Sequence, residues 1–351
     1  MHALMLLNVA GAHMQTNIKL DPVPINPRTR LYEHLNQVVL PEMGIELKCP
    51  EFNASRFNPD KDVYLFEEAY SRSRFVGKFF GFRLQLTAVE QENSLNNEFK
   101  NLSNTRENGL VDFPNRIVRP LSKDEQSYCL LVEDYVRGHD LDYYIAKAAH
   151  EGQHNRLLRK LTLLGRFLCI LHRQKPGVHQ ICRKNLQTYF HSMVDSLNRR
   201  KRIDDETALE FSRMITAWQG VEKTAGDEAV LVHGDANPTN FFFHPEDGVT
   251  AIDLERMHCG DRVYDLGFLA AELKHHFAWR IHDANISECF IDHLLHAYCE
   301  GFEDASAVFR EISARNPFYM ALGEIRIARN SWLPEKHRAW LIGEALRCLK
   351  R

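Results

Sequence analysis

Between residues 229 and 252 the chain alternates short apolar runs with compact polar ones. Residues 229–232 and 241–243 are wholly apolar, 244–248 (His-Pro-Glu-Asp-Gly) have turn composition, and 249–252 (Val-Thr-Ala-Ile) read as a short returning strand. The pattern predicts two strands joined by that turn. Closing the hairpin carries Asp253 back beside Asp235 and Asn240, so that a carboxylate, a carboxamide and a second carboxylate converge at one end. Such a set supplies oxygen atoms suited to a hard cation such as Mg²⁺.

Upstream the period is short. A helix is expected over 30–39, closed by Pro41 and Gly44. Ile45, Leu47 and Cys49 then alternate, Val63 and Leu65 continue the alternation, and residues 74–80 form a further strand. Residues 53–62 and 70–73 have the polar composition of turns in a small antiparallel sheet. Residues 90–106 hold neither Pro nor Gly and place Leu95, Phe99 and Leu102 at helical spacing, and residues 128–136 read as a buried strand. After about residue 137 the apolar spacing turns helical. Stripes through 157–171, 186–197, 209–218, 266–277, 286–302 and 340–349 predict amphipathic helices around the hairpin. The expected class is α+β: a small N-terminal antiparallel sheet with one helix, then a larger, mainly helical region.

Composition narrows the function without naming it. With 351 residues, 44% hydrophobic and 26% charged, the chain can bury a sizeable core. A net charge of −3 gives no electrostatic footprint for nucleic acid or a membrane surface. The basic run 199–202 is followed at once by Asp204, Asp205 and Glu206, the pattern of a solvated helix end. Eight cysteines make no CxxC pair and sit mostly among apolar neighbours, which points to reduced thiols and a cytoplasmic location. Residues 3–12 are apolar but short and lack a basic flank, so a loose arm is expected rather than a signal peptide. The longest apolar runs fall short of a membrane span.

Lys78 is a lone cation in the apolar stretch Phe75-Val-Gly-Lys-Phe-Phe80, and a buried lysine requires an anionic partner. That partner should come from the next helix, where Glu98 lies beside the apolar stripe and Glu92 is the substitute; periodicity alone does not choose between them. His-Gly-Asp-x-x-x-x-Asn, from His233 through Asp235 to Asn240, followed by Ile252-Asp253-x-Glu255, resembles the catalytic loop and metal-binding segment of the aminoglycoside phosphotransferase and choline kinase family. That family has the two-lobed protein-kinase-like fold. The run Gly260-Asp-Arg-Val-Tyr-Asp265-Leu-Gly matches the family's Gly-Asp-Pro-x-x-Asp-Leu-Ala pattern, with Arg262 where proline is usual.

The resemblance implies a division into an N-terminal arm and short helix (1–44), a nucleotide-binding lobe (45–136) and a C-terminal lobe (137–351) carrying the catalytic loop, metal site and acceptor-binding helices. It implies ATP, with GTP as the alternative donor, and Mg²⁺ as cofactors, and a small-molecule hydroxyl acceptor as partner. Asp235 would be the catalytic base, and Asn240 and Asp253 the magnesium ligands. Lys78, held by Glu98, would orient the phosphates, while the main chain at Glu133, Tyr135 and Val136 would meet the adenine edge. His233, Glu255 and Asp265 would support the loop, Asp265 also as the N-cap of the next helix.

The pattern departs from the family at the phosphate loop. Ser55-Arg-Phe-Asn58 stands where glycines are usual, leaving the Ser55 hydroxyl and the Arg56 guanidinium to meet phosphate. That departure sets a catalytically silent binding module against the phosphotransferase. For the acceptor, Asp204, Asp205, Glu206 and Glu272 could form an acidic wall for a cation, and Trp279, Tyr298 and Trp332 an aromatic cage for a quaternary ammonium. Transition-metal sites at His258/Cys259 or His275/His276 lack ligand spacing. His172, at a helix end, is expected to be structural.

Overall fold

The structure is a computed structural model that describes residues 22–58, 62–82, 86–174, 183–222 and 229–350. The apolar stretch 3–12, most of the N-terminal arm and Cys182 lie outside the described residues. The chain divides into two compact units, one of residues up to Asp112 with Arg116–Arg137, the other of Phe113–Asn115 with Gly138 onward.

The first unit is built on a six-stranded sheet ordered β1-β2-β3-β4-β6-β5: Val23–Pro24 (β1), Phe52–Asn58 (β2), Val63–Glu68 (β3), Arg74–Phe79 (β4), Pro120–Asp124 (β5) and Leu130–Asp134 (β6). Every neighbouring pair is antiparallel. Phe52, Phe66 and Phe75 fill its core, with edge-on contact between Phe52 and Phe75. Gly77 is required there, because a Cβ would lie 2.5 Å from the Phe66 ring. The buried Glu68 carboxylate accepts from the Glu51, Tyr70 and Ser71 amides and fixes the turn after β3.

Two expectations fail in this unit. Residues 53–58, expected in a turn, belong to β2: Phe52 and Ala54 alternate inward, and Ser55 pairs with Leu65. The polar residues between them occupy the other positions of a strand. Residues 45–51 alternate in burial but form no strand, and Cys49 is exposed. There Ile45 caps the preceding helix by donating to the Leu40 carbonyl, after Gly44 turns the chain at φ +72°. That helix starts as Arg30–His34 (α1), passes through a π turn at Leu35–Val39, and ends as Leu40–Glu42 (α2). Pro41 therefore lies inside it, just past the join between the π turn and α2, and does not close it. The unit's long helix is Ala88–Glu107 (α3), opened by a capping box in which Thr87 and Glu90 satisfy each other's amides.

The second unit holds Leu141–Glu151 (α4), His154–Arg173 (α5), Arg183–Arg199 (α6), Asp205–Glu222 (α7), Val263–Ile281 (α8), Ser287–Cys299 (α9), Ala305–Ala328 (α10) and Glu335–Leu349 (α11). His139–Asp140 (β7), Phe241–Phe243 (β9) and Val249–Ala251 (β10) form one antiparallel set, and Val230–Val232 (β8) pairs with His258–Gly260 (β11). The expected hairpin is β9–β10, registered Phe241 to Ala251. α4 and α10 escaped the sequence pattern. From Phe318 to Ala328 α10 is buried almost all round, so no stripe marks it, and Pro317 lies within it. The fold class is α+β, a small antiparallel sheet with one long helix and a larger, mainly helical unit. Among the described residues no helix is long and apolar enough to cross a membrane.

Candidate active site

In the first unit Lys78 projects from β4 and is 8% exposed, which is low enough to demand pairing. Its Nζ lies 2.5 Å from Glu98 Oε1 on α3 and 3.4 Å from Glu133 Oε1 on β6. Glu98 is fully buried, whereas Glu92, the substitute partner, is exposed. Glu133 thus turns its side chain toward the lysine, which the hinge reading of its main chain did not anticipate. Tyr135, beyond β6, lies under the Arg74 guanidinium at 5.8 Å. Ser55 and Arg56 sit within β2 rather than in a loop, and Arg56 pairs with Asp62 at 3.3 Å. The connection between β2 and β3, residues 59–61, lies outside the described residues.

In the second unit the loop after β8 is shaped by one carboxylate. Asp265 Oδ2 accepts the His233 amide at 2.7 Å, and Oδ1 accepts the Gly234 amide at 3.0 Å. His172 Nε2 donates to the same carboxylate at 3.0 Å, while Tyr298 Oη donates to His172 Nδ1 at 3.0 Å. Burial alone would raise the Asp265 carboxyl, but the hydrogen bond and charge of His172, with His233, hold it below the usual carboxylate range. The helix begins at Val263, so Asp265 braces the loop from inside the first turn and is not the N-cap. Tyr298 is accordingly a core residue, not part of a cage.

Gly234 turns at φ +77°, and a Cβ there would lie 2.0 Å from the Arg256 carbonyl, so only glycine fits between His233 and Asp235. His233 donates from Nε2 to the Ile252 carbonyl at 3.0 Å and accepts the Asp235 amide at Nδ1. Asn237 starts a 3₁₀ turn over Pro238–Asn240, with its side-chain Oδ1 accepting from the Thr239 amide. The buried Asn240 donates its side-chain amide to the Asp235 carbonyl at 2.9 Å. Its own carbonyl accepts from Ile252, and that bond brings Asp253 to the same end of the hairpin. Asp253 takes a left-handed conformation, φ +64°, which aspartate tolerates better than most residues. Glu255 follows in a 3₁₀ turn over Leu254–Arg256.

Asp235 has a partner that no sequence signal announced. Its Oδ1 forms an ion pair with Arg326 from α10, and the guanidinium lies 5.2 Å over the Phe268 ring. Nearby, Asp142 at the start of α4 accepts from Arg280 at 2.6 Å and meets His276 at 3.3 Å. Burial pushes the Glu272 carboxyl up to about 7, with Asp235 and Asp142 adding to the rise against Arg326. Of the other acceptor candidates, Asp204 accepts from the Thr207 amide at the start of α7. Trp279 and Trp332 meet edge to face at 5.9 Å beside His337, and both are exposed. His275 Nδ1 lies 2.9 Å from His337 Nε2, while Cys259 pairs in β11.

The fold and the braced His-Gly-Asp loop define a protein-kinase-like phosphotransferase fold. The sequence pattern described as the phosphotransferase enzyme family, APH, matches residues 60–311, and the chain belongs to that family. No curated protein matches it. Among solved structures, the Plasmodium vivax ethanolamine kinase aligns over 85% of this chain and 80% of its own, at 16% identity and TM-score 0.55. The ADP-bound aminoglycoside phosphotransferase APH(2'')-Ib aligns over 92% and 97%, at 14% identity and TM-score 0.57. The streptomycin–ATP–APH(2'')-IIa ternary complex aligns over 92% and 97%, at 13% and 0.55. At these identities the likeness is one of fold.

Proposed function

We propose that this protein is a magnesium-dependent small-molecule kinase that moves the γ-phosphate of ATP to a hydroxyl group. The observation that carries the reading is the pairing of a family-defining loop, His233-Gly-Asp235, with Asn240 and Asp253 at one end of a short hairpin. Residues 45–136 would bind the nucleotide and residues 137–351 would present the acceptor. ATP is the preferred donor in this reading, with GTP as the alternative, and the fold neighbours bound to ADP, ATP or GDP are consistent with a nucleoside phosphate.

Asp235 accepts the proton of the acceptor hydroxyl. Lys78, held by Glu98, gives a fixed positive charge to the α and β phosphates, and the main chain at Glu133, Tyr135 and Val136 borders the base. The donor set fits magnesium: one carboxylate oxygen of Asp253 and the amide oxygen of Asn240 would hold it. When bound, the ion neutralises charge on the phosphate oxygens. Asp265 and His233 keep the loop in shape, and Glu255 supports the segment carrying Asp253.

Thermal melting with and without Mg·ATP and Mg·GTP tests this on wild type and Asp253→Ala. Nucleotide at about 100 times its dissociation constant adds about 2.7 kcal/mol to the native state. The expected result is a magnesium-dependent rise in melting temperature, larger for one nucleotide and lost in Asp253→Ala. No rise with either nucleotide would replace the kinase by a silent binding module.

A further inference from the structure

The surroundings of the Asp235–Arg326 pair are more basic than the pair itself needs. Arg326 is answered by Asp235. Arg329 follows three residues later on the same helix end, and Arg256 stands in the turn after Asp253, its carbonyl against Gly234. Arg329 has no carboxylate partner among the described residues. Its Nη1 meets Met193 Sδ at 2.6 Å on α6, and its Nε is buried without an acceptor. Burial lowers the Arg329 guanidinium; Tyr189 opposes that, and Arg200, Arg326 and Arg256 add like-charge repulsion.

Two acids of this unit, Asp142 on α4 and Glu272 on α8, do not answer Arg329. Asp142 takes Arg280 and His276, and burial holds Glu272 up at about 7. Arg329, without a carboxylate among the described residues, lies on the end of α10 one turn beyond Arg326 and against Met193 of α6. A guanidinium that gives up water needs a compensating anion, and its planar fork suits a carboxylate or a phosphate.

We propose that the acceptor carries an anionic group, a carboxylate or a phosphate, and that Arg329, with Arg256 and Tyr189, receives it beside the Asp235–Arg326 pair. The proposal rests on the phosphotransferase reading of the site. In the transfer the acceptor hydroxyl gives its proton to Asp235 as its oxygen bonds to the γ-phosphorus. The bond from that phosphorus to the β–γ bridging oxygen breaks and ADP leaves. The anionic group takes no part in this exchange; it fixes which hydroxyl faces Asp235.

Calorimetric titration of the full chain with four small alcohols tests the assignment: glycerate, glycerol 3-phosphate, glycerol and the cationic amino-diol serinol. One of the two anions should bind at least ten-fold more tightly than glycerol or serinol, and which one it is separates carboxylate from phosphate. Arg329→Gln should weaken that binding ten-fold or more, Arg329→Lys less. Arg256 is exposed and outside the core, and Arg256→Gln should weaken that binding several-fold. Serinol or glycerol binding as well as the anions would overturn the proposal. So would anion affinity unchanged in Arg329→Gln and Arg256→Gln, or no anion binding at all. Mg·ATP titrated into the same wild-type sample reads the other hypothesis separately. Anion binding without nucleotide binding would sink the kinase and spare the pocket, and nucleotide binding without anion binding would sink the pocket alone.

Discussion

Arg326 holds Asp235 in an ion pair although 91 residues separate them, and the guanidinium is itself fixed against the Phe268 ring. Burial opposes the charge on Arg326, but Asp235, with Tyr189 and Tyr264, outweighs it and raises the guanidinium above its usual value. The backbone of Asp235 is therefore held by the loop's own hydrogen bonds, and its carboxylate by a helix from the far end of the chain.

That arrangement predicts different failures for the two partners. Asp235→Asn should keep the fold, because an amide oxygen still accepts from Arg326. It should lower phosphate transfer by about 10² to 10⁴, the usual contribution of a positioned base. Arg326→Ala leaves the carboxylate without its anchor, so transfer should fall about ten-fold and the melting temperature should drop as well. Measured kcat and melting curves separate the cases; an Arg326→Ala enzyme with wild-type kcat would show the pair to be incidental.

How much of this was legible in the chain depended on whether a residue's role is local. The hairpin and the His233–Asp235–Asn240 spacing could be read from short-range pattern; the cost of burying a lone charge required an anion for Lys78, and the family resemblance singled out Glu98. Arg326 could not. It sits on a helix buried almost all round, which carries no amphipathic stripe, and nothing near it in sequence mentions Asp235. Ser55 and Arg56 were misplaced for the opposite reason: polar residues in β2 look like a turn until Leu65 and Tyr64 are seen opposite them. Asp265 looked like a cap because a carboxylate near a helix start fits that role equally well, and only the His233 and Gly234 amides decide otherwise.

Lys78 faces two buried carboxylates, and this makes its replacement worse than that of either partner. Glu98→Gln leaves the lysine with Glu133 at 3.4 Å. Lys78→Met leaves Glu98 and Glu133 close together without their shared cation. Breaking a buried pair costs about 3–5 kcal/mol, so Lys78→Met should lie at the upper end of that range and Glu98→Gln below it. Urea unfolding of both variants checks the order; equal losses would mean that Glu133 adds nothing.

Glu324 is fully buried in α10, and burial pushes its carboxyl up to about 8, with Lys274 and Arg347 pulling the other way. The folded state holds the proton that the unfolded chain releases near 4.5. Folding stability is therefore fully present below that value and is lost as the pH rises toward about 8, with a limiting slope of about 1.4 kcal/mol per unit. Glu324→Gln cannot ionise and should remove this loss, melting higher than wild type at pH 8 to 9. A variant with the same alkaline decline as wild type would contradict the assignment.

The acid side is governed by histidines. Burial lowers His275 to about 2 and His276 to about 3, with neighbouring positive charge, Arg280 among it, adding to both. Here the sign reverses: the unfolded chain takes up protons near 6.5 while the folded protein refuses them, so stability falls as the pH drops below that point. His275→Gln carries no titrating ring and should flatten part of the acid limb while leaving the alkaline limb intact, just as Glu324→Gln should flatten the alkaline limb alone. Melting temperatures of wild type and the two variants from pH 4 to pH 9 read both limbs in one series. If His275→Gln leaves the acid limb as steep as in wild type, the charge that unfolds the protein in acid is being taken up elsewhere.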